Sequence, residues 1–121
     1  FIVEHFNIPL IEGVLRQRLL VCIARDVILA CSPNSNLYRS GDDLFLNDAK
    51  MSVSIATKTL TSVIIHLGIN IDSAGAPVKA AGLESELNLK NIDQIADDII
   101  NKYCEETEQI INASCKVRGV I

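Results

Sequence analysis

Lys50 is followed by Met51, Ser52, Val53 and Ser54, and the next apolar run closes on His66-Leu67-Gly68-Ile69-Asn70. A fixed ammonium offsets negative charge on a carboxylate or in a transition state. A histidine and an asparagine can orient a ligand's polar end, and serines and a glycine leave room for it against a sheet. Residues 50–57 and 65–72 alternate between apolar and small or polar, the period of a strand. A long hairpin is therefore expected, with Met51, Val53, Ile55, Thr57, Ile65, Leu67, Ile69 and Ile71 on a core face. Lys50, Ser52, Ser54, Ala56, His66, Gly68, Asn70 and Asp72 then share the other face. With Leu60, Thr61 and Ser62 as the turn, Lys50 is expected opposite Asp72, Ser52 opposite Asn70, Ser54 opposite Gly68 and Ala56 opposite His66.

Each of these residues also has a plainer reading. Lys50 at a strand end can pair with Asp48 or Asp72 on the surface, where an ion pair contributes little. His66, with only His5 as a second histidine, is read as a hydrogen-bonded structural residue ahead of a ligand-binding or proton-transfer group, and no metal site is expected. Ser52, Ser54 and Gly68 can be covered by further strands or by a second subunit as readily as by a ligand. Arg16 and Arg18 read as a solvated helix face before an anion site, and Asp42 and Asp43 as turn caps.

The positioning elements follow from the local pattern. Residues 1–6 read as a strand. Asn7 or Ile8 can cap a helix that has Pro9 in its first turn and runs to about Cys31. Its expected buried stripe is Leu10, Val14, Leu15, Leu19, Cys22, Ile23 and Val27. The loop of residues 32–36 leads to short strands at 37–39 and 43–46, an antiparallel meander that enters the hairpin. Residues 78–83 read as a short strand or one helical turn. A last helix is expected over residues 92–113, with Asn91 and Gln94 as a capping pair and Ile92, Ile95, Ile99, Tyr103, Ile110 and Ile111 buried. The fold class is α+β, one domain over residues 1–121, with helices packed on one face of a mostly antiparallel sheet.

A length of 121 residues suits one core, and the 49% hydrophobic content suits a packed globule. The net charge of −4 gives no support to sequence-independent nucleic-acid binding. No apolar run approaches the roughly 20 residues of a membrane span and the start does not look like a signal peptide, so a soluble, cytoplasmic chain is expected. Cys22, Cys31, Cys104 and Cys115 lack the short paired spacing of a zinc site and are expected to be buried free thiols. The chain opens on Phe1, without an initiator methionine and directly on a strand, which suggests a processed or truncated product.

Residues 43–52, Asp-Leu-Phe-Leu-Asn-Asp-Ala-Lys-Met-Ser, followed by the hairpin into His66-Leu67-Gly68-Ile69-Asn70, resemble the core of the biotin and lipoate protein ligases and octanoyltransferases. Over nearly the whole chain the likeness is closer to an archaeal family of unknown function distantly related to those enzymes. Residues 12–18, residues 52–56 and Lys116-Val117-Arg118 carry that closer likeness. The resemblance implies a class II synthetase-like fold without its N-terminal part and a small carboxylic acid or acyl group as ligand. It implies carboxylate activation or acyl transfer as the reaction class and Lys50 as the catalytic cation. Ser52, Ser54, His66, Gly68 and Asn70 are the ligand-binding candidates. The octanoyltransferases place a cysteine nucleophile before a glycine where this chain has Ala81-Gly82-Leu83, so an acyl-enzyme step lacks its residue. A requirement for ATP would rest on an upstream glycine- and arginine-rich segment. An acyl-carrier protein or a second copy of the chain are the macromolecular partners left open. The alternative is a non-catalytic binding or homodimeric assembly module.

Overall fold

A computed structural model describes residues 1–117 and 119–120; Arg118, the last residue of the Lys116-Val117-Arg118 likeness, lies outside them. The elements in chain order are β1 (Ile2–Phe6), α1 (Leu10–Cys31), β2 (Leu37–Ser40), β3 (Asp43–Leu46), β4 (Ala49–Lys50), β5 (Ser52–Lys58), β6 (Ser62–Ile69) and α2 (Ile92–Ser114). The class is α+β. The strands form two three-stranded antiparallel sheets, ordered β1-β6-β5 and β2-β3-β4, rather than one. The chain passes between them at Met51, whose N–H donates to Leu44 O (2.8 Å) and whose carbonyl accepts from Asn70 N–H (2.9 Å).

The hairpin register differs from expectation by one residue. Ser52 pairs with Ile69, Ser54 with Leu67, Ile55 with His66 and Lys58 with Val63. The turn is the cause. Thr59 N–H donates to Ser62 O (2.8 Å), and the Thr59 and Ser62 hydroxyls meet at 2.7 Å. Leu60 and Thr61 alone remain outside that clasp, and a loop with an even number of residues makes paired numbers sum to an odd value. Ser52, Ser54 and Ala56 consequently turn inward with Ile65 and Leu67, while Val53 and Ile55 stand 61% and 59% exposed on the outer face. Met51 remains fully buried as expected, because it sits in the break between β4 and β5, where Met51 and Ser52 are buried in succession.

Interior hydrogen bonds make the inversion tolerable, since buried hydroxyls need partners. Ser52 Oγ accepts from Leu44 N–H at 2.8 Å. Ser54 Oγ donates to Asp42 O and accepts from the Gln17 amide, both at 2.7 Å.

The helix stripe is rotated accordingly. α1 buries Gly13, Gln17, Leu20, Val21, Ala24, Val27 and Ile28, whereas Leu10 and Leu15 are exposed. Apolar residues occur on every side of α1, so periodicity alone does not select a face. Gly13 and Gln17 select it: the first admits β6 and the second bonds β5. A Cβ on Gly13 would lie 2.3 Å from Val63 Cγ1, and Val63 is fully buried. Gly13→Ala would gain about 1 kcal/mol of helix propensity against an overpacking cost of up to about 3 kcal/mol. A net loss of about 1–2 kcal/mol is expected in denaturant unfolding, and a variant as stable as the parent would show that helix and sheet separate freely here.

α2 begins as expected, but Asn91 makes no side-chain cap and Gln94 instead donates to Asp98 (2.9 Å). Ile95, Ile99 and Tyr103 are buried, while Ile110 and Ile111 lie exposed near its far end. One cluster drawn from both sheets and both helices forms the core, including Leu20, Ile28, Leu44, Met51, Ile65, Leu67, Ile95 and Tyr103. All four cysteines are free, but only Cys22 is half-buried; Cys31, Cys104 and Cys115 are exposed, against the expectation of buried thiols. Among the described residues no helix is long and apolar enough to cross a membrane.

A polar network unanticipated by the motif reading ties β1 to both helices. His5 Nε2 lies 2.6 Å from Tyr103 Oη, and Arg16 Nη1 lies 3.3 Å from His5 Nδ1. Arginine can only donate, so Nδ1 accepts and Nε2 carries the proton toward Tyr103. Arg16 is held in turn by Glu12 at 2.6 Å. Burial, and next the adjacent Arg16 charge, push the His5 pKa below its usual 6.5, opposed by Glu12. Burial pushes Tyr103 up to about 12. A lowered folded-state pKa means that the unfolded chain binds the extra proton. Stability is therefore expected to be full above about pH 6.5 and to fall as pH drops below it. Thermal unfolding scans at stepped pH should show that slope, and His5→Gln should flatten it.

Candidate ligand site at Lys50

Two tight turns bring Lys50 to its place. Gly41, at φ 60°, opens the two-residue turn between β2 and β3, while Asn47 and Asp48 (φ 47° and 65°) make the β3–β4 turn. Positive φ at both central residues is the type I′ pattern, which asparagine and aspartate tolerate. Lys50 then pairs with Phe45, and its backbone receives a returning loop: Lys50 N–H donates to Lys79 O (3.1 Å) and Ala81 N–H donates to Lys50 O (2.9 Å). The result is a single parallel bridge between Lys50 and Ala80, in place of the short strand or helical turn expected over residues 78–83.

The Lys50 ammonium lies 3.0 Å from Asp43 Oδ2 rather than pairing with Asp48 or Asp72. Its side chain is 40% exposed and that of Asp43 19%. Asp43 Oδ1 is buried without a hydrogen-bond partner, so the Asp43 side chain pairs with Lys50 instead of capping the turn as expected. An ammonium has three donors; those not used by Asp43 are free for a ligand oxygen. A cavity of about 250 Å³ opens beside it, with Lys50, Ser52, Val53 and Asn70 on one side and Ala76, Pro77, Val78 and Ala80 on the other.

Asn70 also lines this cavity. Its Nδ2 donates to Lys50 O (3.3 Å) and to Ala81 O (3.2 Å), binding β4 to the returning loop. The loop is locked further along by Glu86, which accepts from Gly82 N–H (2.5 Å), Ser73 Oγ (2.5 Å) and Ser85 Oγ. The hydroxyl of Ser73, then that of Ser85, holds the Glu86 carboxyl below the usual carboxylate range.

The structure thus brings Lys50, Ser52 and Asn70 together and separates the other candidates from them. Ser54 is engaged inside by Gln17 and Asp42. His66 and Gly68 are exposed on the outer face of β6, opposite Ile55 and Val53. His5 and His66 stand on opposite faces, so they form no pair. Among the described residues no group of three or more histidine, cysteine or acidic side chains is placed to hold a metal ion. Arg18 pairs with Asp42 at 3.1 Å and Arg16 with Glu12, so both arginines are engaged within the protein. The partner of Lys50 escaped sequence reasoning because Asp43 and Lys50 meet across the β3–β4 hairpin without being a register pair.

A small α+β domain with one lysine in the lining of a mostly apolar cavity is the class that fold and site define. Residues 1–118 match a family described as a domain of unknown function, DUF366, and the chain belongs to that family. An uncharacterised protein of the archaeon Methanocaldococcus jannaschii is 48% identical over 112 residues, covering 91% of this chain and 49% of that protein. A solved protein of unknown function from Pyrococcus horikoshi is similar in structure, with a TM-score of 0.84 and 32% identity, covering 99% of this chain and 63% of that one. The chain therefore spans about half the length of this curated relative.

Proposed function

We propose that this chain is a ligase-like domain that binds a small carboxylic acid or its acyl derivative in the cavity beside Lys50. The observation that carries the reading is the composition of that cavity: Lys50 is the one cationic residue of its lining, beside the apolar Val53, Ala76, Pro77, Val78 and Ala80, while the Asn70 amide hydrogens are already taken by Lys50 O and Ala81 O. A charged or polar end and a short apolar body match such a lining. At about 250 Å³ it is smaller than the roughly 300–1,000 Å³ of ordinary ligand pockets, which favours a short acid over a long acyl chain. The resemblance to the biotin and lipoate ligases supplies the reaction class, carboxylate activation or acyl transfer. There Lys50 would stabilise charge that grows on the acyl or phosphate oxygens.

Four of the six glycines do not fit an ATP phosphate cradle. Gly13 packs within α1 against Val63, Gly41 opens a hairpin turn, Gly68 lies in β6, and Gly82 packs on Ile71. No ATP-dependent step is derived from the described residues. A second reading, a binding or assembly module without chemistry, is favoured by one observation. Ala81, at the position of the octanoyltransferase nucleophile, is fully buried, and Cys104 and Cys115 sit on or just past α2.

The test is calorimetric titration of the protein with carboxylates from acetate to octanoate, biotin and lipoate, with ATP–pyrophosphate exchange run on the same panel. Saturable binding of one acid that is lost in Lys50→Ala supports the carboxylate site, and exchange in addition assigns activation. Binding that survives Lys50→Ala, or no binding of any acid by folded protein, rejects it.

A further inference from the structure

β1 leaves the β1-β6-β5 sheet open on one side. Phe1 exchanges backbone hydrogen bonds with Leu67, and Asn7 N–H donates to Thr61 O, both toward β6. Along an antiparallel ladder, residues that bond the partner alternate with residues whose N–H and C=O point away. The backbone groups of Ile2, Glu4 and Phe6 therefore face outward from the edge. Among the described residues β6 is the strand that pairs with β1, and the helices reach β1 only from the inner face, through His5.

Edges left to solvent are usually guarded by lysine, proline, a bulge or an outward charge. β1 reads Ile-Val-Glu-His-Phe. Its one carboxylate, Glu4, is exposed but is turned back onto Ser62 Oγ at 2.6 Å, which leaves the edge lightly guarded. The outer face beside this edge is largely apolar: Ile2 is 73% and Phe6 61% exposed, and beyond the exposed His66 the far strand presents Ile55 and Val53. The helices pack on the opposite face. Where β1 begins, an apolar cavity of about 280 Å³ lies between the end of β6 and α2, lined by Phe1, Leu67, Gly68, Ile69, Ile95 and Ile99 among others.

A lightly guarded edge, a largely apolar uncovered face and an apolar cavity at one end of the same strand call for the same kind of occupant. An extended segment whose side chains alternate satisfies all three: its backbone pairs with β1 and its apolar residues shield Ile2 and Phe6. Members of the family carry polypeptide to supply it, since the shared region makes up 49% of the Methanocaldococcus protein and 63% of the Pyrococcus chain. We propose that β1 is an interior strand of a wider sheet in this family. Its open edge is paired by an extended segment from the polypeptide that the longer members carry outside the region shared with this chain.

Hydrogen–deuterium exchange on the full-length Pyrococcus protein and on this chain tests the pairing. In this chain Val3 and His5 amides should be protected, while those of Ile2, Glu4 and Phe6 exchange at nearly unstructured rates. In the Pyrococcus protein the amides aligned with Ile2, Glu4 and Phe6 should exchange roughly 100-fold more slowly or slower still. Fast exchange at those positions in the longer protein overturns the proposal. So does protection of the same three amides in this chain that rises with its concentration, which would assign the edge to a second copy.

Discussion

Lys50→Ala is expected to abolish carboxylate binding, at least about 100-fold in affinity, while the fold survives. On the proposed reading Lys50 supplies the cation that meets the carboxylate, and losing a charge-assisted hydrogen bond costs more than losing a neutral one. The same substitution leaves the Asp43 carboxylate, already burdened with an unpartnered Oδ1, without its ion pair. Because Lys50 is 40% exposed, the stability loss from that change should be modest, about 1 kcal/mol. Lys50→Ala with Asp43→Asn separates the two effects. The double variant should regain the lost stability in thermal unfolding yet still fail to bind. Recovery of binding along with stability would mean that Lys50 acted only as the partner of Asp43.

Gly82→Ala should be the most damaging small substitution in the chain. A Cβ there would stand 2.5 Å from Ile71 O and 2.7 Å from Ile71 C. These are backbone atoms and cannot turn aside as a side chain can. Overpacking of this kind costs about 3 kcal/mol, or on the order of 10 °C in unfolding midpoint for a domain of this size. The loop locked by Ser73, Ser85 and Glu86 also walls the Lys50 cavity, so binding should weaken with stability. A far smaller shift, with full binding, would show that residues 71–86 adjust as a unit without disturbing Lys50.

Much of this architecture was readable from the residues themselves. The positions of both helices, the β2–β3–β4 meander and the antiparallel hairpin follow from helical spacing, loop and turn residues and alternation, although neither Asn7, Ile8 nor Asn91 supplies the side-chain cap expected of it. The hairpin's faces did not follow. Hydropathy places Val53 and Ile55 in the core, whereas a two-residue loop and the hydrogen bonds of Ser52 and Ser54 place them outside. Alternation reports that a strand has two faces, and long-range partners decide which of them is buried. The site was legible in the same proportion. Lys50, Ser52 and Asn70 meet, whereas His66 and Gly68 were grouped with them by a register the turn does not allow. The network of His5, Arg16 and Tyr103 spans 98 residues of sequence, a separation over which no local pattern operates.

The clasp between Thr59 and Ser62 gives the hairpin something like a reading frame. Inserting or deleting one residue between them would invert every later side chain of β6 relative to β5, exposing Ile65 and Leu67 and burying His66. A change of two residues would preserve the phase. Drift in loop length at this hairpin is therefore confined to even steps, however exposed and permissive Leu60 and Thr61 look in isolation.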